Sequence, residues 1–546
     1  MNETRNETSA TLEPSQSPKR SKKPLIISLA VIFILGIGAT AYAMFFNHSA
    51  KEMYFLAESN TFNETSESFN ETFAVNKDLA EKTLEEKSKS TTDLGFKVEG
   101  LETIDPSMGM VAPIVNQLKL NTTTMIAPKE SKGLVEVNLG LEGTDLVKLE
   151  AYQSDKLTGL SVPLLYDKYL YFKNEDFGKL MKRFDPSYMG PEKMDNLIQM
   201  QVEAMKSQEK LAEFREEYGK FLLENISEES VTEGKGELKG ETYTKLTLEL
   251  SEKEVQDLMK KLIDKVQKDK ELKELLVDMS AGSGLAANPA LAVSEGETDK
   301  DKVKEEMEKA LKDMEDNLDK LKMPDGFKST ILVNDKDLIV KRDIDFKIGE
   351  KEELVTFGYS SHALRKDEVI TDGKWALQVS PKKSEGGDLF KAVVELKGEP
   401  SKRDINGTFS LSESGELSGS VDFDATMSGK PEDMKIEFEV AVKGSDQPIP
   451  PVKGHFTRKV KDELDKGTYS ASGEFGIEVD AGIGNPISAV IDYKNKTEFT
   501  DELKFPKLED EGENISELSD AELQKIAAEI QTKIQQLMMN NQQLFN

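Results

Sequence analysis

Cysteine is absent from this 546-residue chain, which excludes disulfides, thiol nucleophiles, thiolate metal sites and a lipid carried on a cysteine. An exported eukaryotic protein of this size usually carries disulfides, so a bacterial envelope protein is the easier fit. Histidine occurs only as His48, His362 and His455, far apart and in no H-E-x-x-H spacing, so they read as structural residues and no metal site is indicated. Also missing are G-x-S-x-G, a P-loop, a strand-linked G-x-G-x-x-G and an EF-hand loop; Glu509 to Glu513 lacks alternating ligands before Gly512. Ser207 to Lys210 and Ser380 to Lys383 have the S-x-x-K form, but the companion S-D-N and K-T-G motifs are missing. No catalytic, cofactor-binding or metal-ligating residue is therefore assigned, no cofactor is expected, and the chain is read as non-enzymatic. With 102 acidic residues, a carboxylate pair for acid/base work stays open, yet no single pair is informative.

What is present begins with charge. The formal net charge is −30, so most of the surface repels a nucleic-acid backbone and nucleic acid is not expected as a partner. Both signs are interleaved along most segments, as in a solubilising surface. The longest apolar run, Leu25 to Phe46, follows Lys19, Arg20, Lys22 and Lys23. At about 1.5 Å per residue it reaches about 33 Å as a helix, enough to cross a bilayer core of about 30 Å. The positive-inside rule then places residues 1 to 24 in the cytoplasm and the bulk outside. Ala41-Tyr42-Ala43 has the form of a signal-peptidase site, so secretion after cleavage near Ala43 is the alternative address.

Residues 1–23 read as a disordered tail, 24–46 as a transmembrane helix, and 47–91 as a helical stalk or first outer helix. From about Asp93 the pattern alternates with period two. Val135, Val137, Leu139 and Leu141 face one way, and a turn at Gly143-Thr144-Asp145 makes a hairpin with Val147, Leu149 and Ala151. A capping box at Ser251 to Glu254 opens a helix with Val255, Leu258, Met259, Leu262 and Ile263 on one stripe. Ala281 to Gly296 is the best linker, dividing an α+β region at 92–280 from a helix plus β-rich region at 298–546. In the latter, Val421, Phe423, Ala425 and Met427 alternate with Ser420, Asp422 and Asp424, and Met434, Ile436, Phe438, Val440 and Val442 follow. Met189, Met194, Met200 and Met205, with Leu197, Ile198 and Val202, form a soft stripe suited to core packing or to a lipid tail. Leu523, Ile526, Ile530, Ile534 and Leu537 form a last amphipathic helix.

Four stretches resemble an uncharacterised family of single-pass membrane proteins of Gram-positive spore-forming bacteria: KKPLIISLAVIFILGIGATAYA from Lys22, KEMYFLAESNTF from Lys51, YDKYLYFKNEDFGKLMKRF from Tyr166 and GETYTKLTLELSEKEVQDLMKKL from Gly240. The resemblance implies an address and an organisation but no activity. The expectation is thus an α+β protein: an N-terminal transmembrane helix, then large antiparallel β-sheet regions packed by amphipathic helices. Its partners are the membrane through that helix and a lipid or envelope protein. Its role is non-enzymatic binding or scaffolding in the cell envelope. Two alternatives stand beside this: a curved-sheet carrier of a lipid or other amphiphile, and an envelope hydrolase using an acidic pair.

Overall fold

The fold was analysed in a computed structural model, which describes residues 49–540 apart from 74–75, 104, 142–143, 283–299, 351–352, 367–368, 382–389, 414–415, 445–448, 481 and 483–484. Its longer helices are α1 (Ala50–Thr72), α2 (Lys77–Glu85), α3 (Phe177–Phe184), α4 (Leu197–Asn225), α5 (Glu252–Lys268), α6 (Lys270–Gly282), α7 (Lys300–Asn317) and α8 (Asp520–Asn540). The first strands are β1 (Ser88–Glu99), β2 (Leu118–Ala127), β3 (Lys132–Leu141), β4 (Thr144–Gln153), β5 (Leu157–Val162), β6 (Tyr166–Lys173), β7 (Val231–Leu238) and β8 (Glu241–Leu250). Next come β9 (Leu321–Lys322), β10 (Phe327–Val333), β11 (Ile339–Glu350), β12 (Glu353–Lys366), β13 (Val369–Pro381), β14 (Phe390–Glu399) and β15 (Lys402–Glu413). The series closes with β16 (Glu416–Lys430), β17 (Asp433–Lys443), β18 (Val452–Glu463), β19 (Thr468–Val479), β20 (Ile487–Phe499) and β21 (Gly512–Asn514).

All 21 strands belong to one sheet. From β10 to β20 each strand pairs antiparallel with the next. Two long-range pairings extend it: β8 with β10 at one side, and β1 with β20 at the other. Beyond β1 the order runs β2, β3, β4, β5, β6, with β21 added parallel to β6. Beyond β8 comes β7. No described pairing joins β7 to β21, so among the described residues the sheet is open.

Apolar parity is carried across the ladders without interruption. Val394, Gly407, Phe423, Val440, Val452, Val479 and Ile487 are successive cross-strand partners. The face they define is the one on which α1, α4 and α5 pack against β8 and β10 to β12. There Tyr54, Phe55, Leu222, Leu246, Leu248, Val255, Phe327, Ile331 and Phe346 form the main core. The expected capping box is present at the start of α5: Ser251 Oγ accepts from Glu254 N (3.3 Å), and the Glu254 carboxylate accepts from Ser251 N (2.8 Å). A smaller cluster of Leu134, Tyr152, Tyr169, Tyr171 and Leu508 lies at the β3 to β6 end.

The sheet is bowed toward the helices. Helix α4 touches β3 at one end, where Ile198 fills the space a side chain at Gly133 would need. At its other end Leu222 and Ile226 join the core with Val231 of β7. From Ile198 to Ile226 the helix runs about 42 Å, whereas the sheet between β3 and β7, at about 4.8 Å per strand step, measures about 72 Å along its surface. An arc so much longer than its chord describes roughly half a cylinder, with α4 as the string of the bow.

Two expectations are corrected. The first is the α+β arrangement of sheet regions behind a membrane helix. Strands from both sides of the 281–297 segment join a single sheet, because the period-two pattern marks a strand but does not name its partner. The second is the single-pass anchor, and with it the membrane as a partner and the single-pass cell-membrane address. Among the described residues no helix is long and apolar enough to cross a bilayer. Leu25 to Phe46 itself, like the Ala43 site and residues 1–23, lies outside the described residues, as does most of the linker.

Candidate functional site

Helix α1 crosses the apolar face obliquely and touches it at every turn. Tyr54 donates to Ser329 of β10 (2.6 Å), and Glu58 pairs with Arg342 of β11. Thr61 accepts from the Ile339 backbone (2.8 Å), and Glu64 takes both Nε and Nη2 of Arg365 in β12 (3.1 and 2.8 Å). Spacings of four, three and three residues keep all four on one helix face. Burial pushes the Glu58 carboxyl above its ordinary range, against the downward pull of the Arg342 guanidinium. Glu58 Oε1 has no hydrogen-bond partner among the described residues.

At the end of α1 the pattern changes. Arg403 of β15 donates through Nη1 to Thr72 Oγ1 (3.3 Å), and Arg458 of β18 donates through Nη2 to the carbonyls of Phe73 and Pro431, the latter at 3.3 Å. Neither is joined to a carboxylate among the described residues. Arg403 is 7% exposed, and the Nε of each is buried without a partner among the described residues. Burial lowers the Arg403 pKa, since nothing offsets the loss of water around the cation.

Above the helix the apolar face is bare. Phe409, Leu411, Val421 and Val442 on β15 to β17, and Phe475, Ile477 and Ile491 on β19 and β20, are each more than a third exposed. Below, where the helix passes, Ala425, Met427 and Met434 are buried. Gly454 keeps the face open, because a Cβ there would collide with the Phe438 ring. Beside this trough, between α2, α4 and the end of β2, lies an apolar cavity of about 260 Å³ lined by Leu79, Leu84, Ile126, Ile198 and Val202.

The opposite face of β15 to β20 holds a polar groove of about 990 Å³ with Asp404, Asp424, Glu437, Glu439, Glu474, Lys453 and His455 on its walls. His455 Nε2 lies 2.6 Å from Glu474, and its ring covers Gly476. Lys435 holds Glu437 below the usual carboxylate range.

The residues singled out by motif are scattered. His362 contacts Asp372 (3.3 Å), far from His455, and His48 lies outside the described residues. Ser380 sits on β13 beside Gln378, Lys383 is outside the described residues, and Ser207 and Lys210 lie on α4, the Ser207 side chain outside the described ones. No group of three or more metal-ligating side chains occurs among the described residues. Of the methionine stripe, Met189 is 95% exposed, and among the described side chains its apolar companions Ile198 and Val202 reach a cavity. Glu513 is a sheet residue on β21 that holds Tyr166 and Lys168.

The arginines are the residues that motif reading missed. The chain has eight arginines among 72 basic residues. Arg342, Arg403 and Arg458 each occupy the apolar parity of their strand, in phase with Ile344, Ile405 and Phe456. A cation at an apolar position, in a chain that otherwise uses lysine, was the available signal.

No family model matches the chain, and no curated protein matches it. Solved structures give low-scoring likenesses. OccK11 (OpdR) of Pseudomonas aeruginosa has 7% identity and a TM-score of 0.23 over 76% of this chain and 98% of that one. The CymD monoaromatic hydrocarbon channel has 8% identity and a TM-score of 0.15 over 79% and 92%. Transferrin binding protein B of Haemophilus parasuis has 8% identity and a TM-score of 0.11 over 76% of each chain. Scores at this level do not establish a common fold. A strand-built membrane barrel also needs a closed wall with an apolar outer band; here the sheet is open among the described residues, and its outer face at β15 to β20 is charged.

Proposed function

We propose that the protein is a non-enzymatic binding protein of the cell envelope that takes the apolar part of an amphiphile on the bare face of β14 to β20. The carrying observation is the run of exposed Phe409, Leu411, Val421, Val442, Phe475, Ile477 and Ile491 on the inner side of a bowed sheet. Contiguous apolar surface of this kind mostly marks a binding site. Supporting it are the apolar cavity beside α2 and the concave geometry, which favours a ligand that lies along a trough. The acidic-pair hydrolase is less well supported: Glu437, in the polar groove, is held low by Lys435, whereas a general acid needs a raised pKa.

The test is native mass spectrometry of the full chain purified without detergent, before and after organic extraction, with long-chain amphiphiles added back. The expected result is a stoichiometric adduct that extraction removes and addition restores. A protein that copurifies with no amphiphile and takes up none contradicts the reading.

A further inference from the structure

The four arginines of the sheet that meet α1 divide into two kinds. Arg342 and Arg365 are neutralised by Glu58 and Glu64 of the helix itself. Arg403 and Arg458, three strands apart, converge on consecutive residues at its end, Thr72 and Phe73. A helix C-terminus offers roughly half a negative charge, so among the described residues two guanidiniums there leave about one and a half positive charges unbalanced. Desolvating a cation without a counterion is costly. A purely structural cap for one carbonyl and one hydroxyl does not require two arginines, since lysine, which the chain uses eight times as often as arginine, or a neutral donor does it as well.

We propose that Arg403, assisted by Arg458, receives the carboxylate of a single-chain anionic amphiphile, such as a long-chain fatty acid, whose tail lies in the bare apolar trough. The proposal deepens the binding reading given above and rests on it. The Nη1 of Arg403 is taken by Thr72, and on the Nε/Nη2 edge the Nε is buried without a hydrogen-bond partner among the described residues. That edge presents two parallel donors spaced for the two oxygens of a carboxylate. The cross-strand neighbours of Arg403 are apolar: Met427 is its partner on β16, and Ile405 follows it on the same face. A carboxylate seated here would find charge at the foot of the trough and hydrocarbon contacts above.

The experiment compares binding of palmitate, of hexadecanol and of a phosphatidic acid to the full chain, in wild type and in Arg403→Met, with fluorescence of the single Trp375 as readout and thermal unfolding as a control for folding. Wild type is expected to hold palmitate at least 10-fold more tightly than hexadecanol. In Arg403→Met that preference should fall to near unity, with hexadecanol affinity unchanged and unfolding unimpaired. Arg458→Met, the second variant, should reduce the preference in part. Equal palmitate affinity in wild type and both variants overturns the inference while leaving an amphiphile site standing. Tighter binding of phosphatidic acid than of palmitate overturns the assignment to a carboxylate. Binding of neither palmitate nor hexadecanol overturns the binding reading itself, and the inference with it.

Discussion

The two halves of the sheet are built from the same alternating pattern and end in different states. Over β8 and β10 to β12, Leu246, Leu248, Ile331 and Phe346 are almost wholly covered by α1, α4 and α5. Over β15 to β20, Phe409, Leu411, Phe475 and Ile491 point the same way and stay open. The difference lies in the helices, whose single apolar stripes are used up on the first half. The arginines repeat the contrast, paired where the face is covered and uncompensated where it is open. Covered surface contributes stability; open surface contributes much less to stability and is free for a ligand.

The largest effect expected from that contrast is in the covered half. Phe346→Ala should cost about 3–5 kcal/mol through loss of burial and the cavity left behind, read as a lower denaturant midpoint at unchanged slope. Phe475→Ala, at 41% exposure, should cost about 1 kcal/mol or less. Equal losses at the two positions would erase the distinction between the halves.

The arginines give the next contrast. Arg342→Met strands the buried Glu58 carboxylate and should cost about 3–5 kcal/mol. Arg403→Met loses a single long hydrogen bond, replaces an uncompensated cation by an apolar side chain, and should be close to neutral or stabilising. Chemical denaturation of both variants measures this, and a severe loss at Arg403 would make it a structural residue.

The smallest effect is at the surface. The Glu130 carboxylate is held down to about 2 by hydrogen bonds from Lys132 and then Lys87. With its folded pKa below the unfolded one, its contribution is present above about pH 4.5 and is lost as pH falls toward 2. Glu130→Gln should therefore lower neutral stability slightly, leave stability near pH 2 unchanged and so flatten the acid limb of the profile, as measured by denaturation between pH 2 and 7. An unchanged acid limb would remove Glu130 from the account.

The strand alternation of β3, β4, β16 and β17 was legible, as was the cap at Ser251, because period and cap chemistry are local. Which strand pairs with which was not: β8 with β10 spans the whole of α5, α6 and α7, and β1 with β20 joins residues some 400 positions apart. The pairing depends on where the chain returns in space, which no window of sequence contains. The trough was foreshadowed only as an amphiphile-carrier alternative, since exposure of an apolar strand face depends on helices running out before strands do. The arginines were legible as sequence but unread, because motif searches look for chemistry between neighbours, and Arg403 and Arg458 meet only through α1.

The most direct test uses Trp375, the only tryptophan of the chain. It lies half-buried on β13, with Val394 of β14 as its cross-strand partner, at the border of the two halves. Fatty acids brominated along the chain quench indole fluorescence at contact. Titrated into the full chain below their micelle concentration, they are predicted to quench Trp375 saturably, and the unbrominated acid is predicted to relieve the quenching by competition. Trp375 emission that stays constant throughout, in a chain that remains folded, would contradict an amphiphile site on this face.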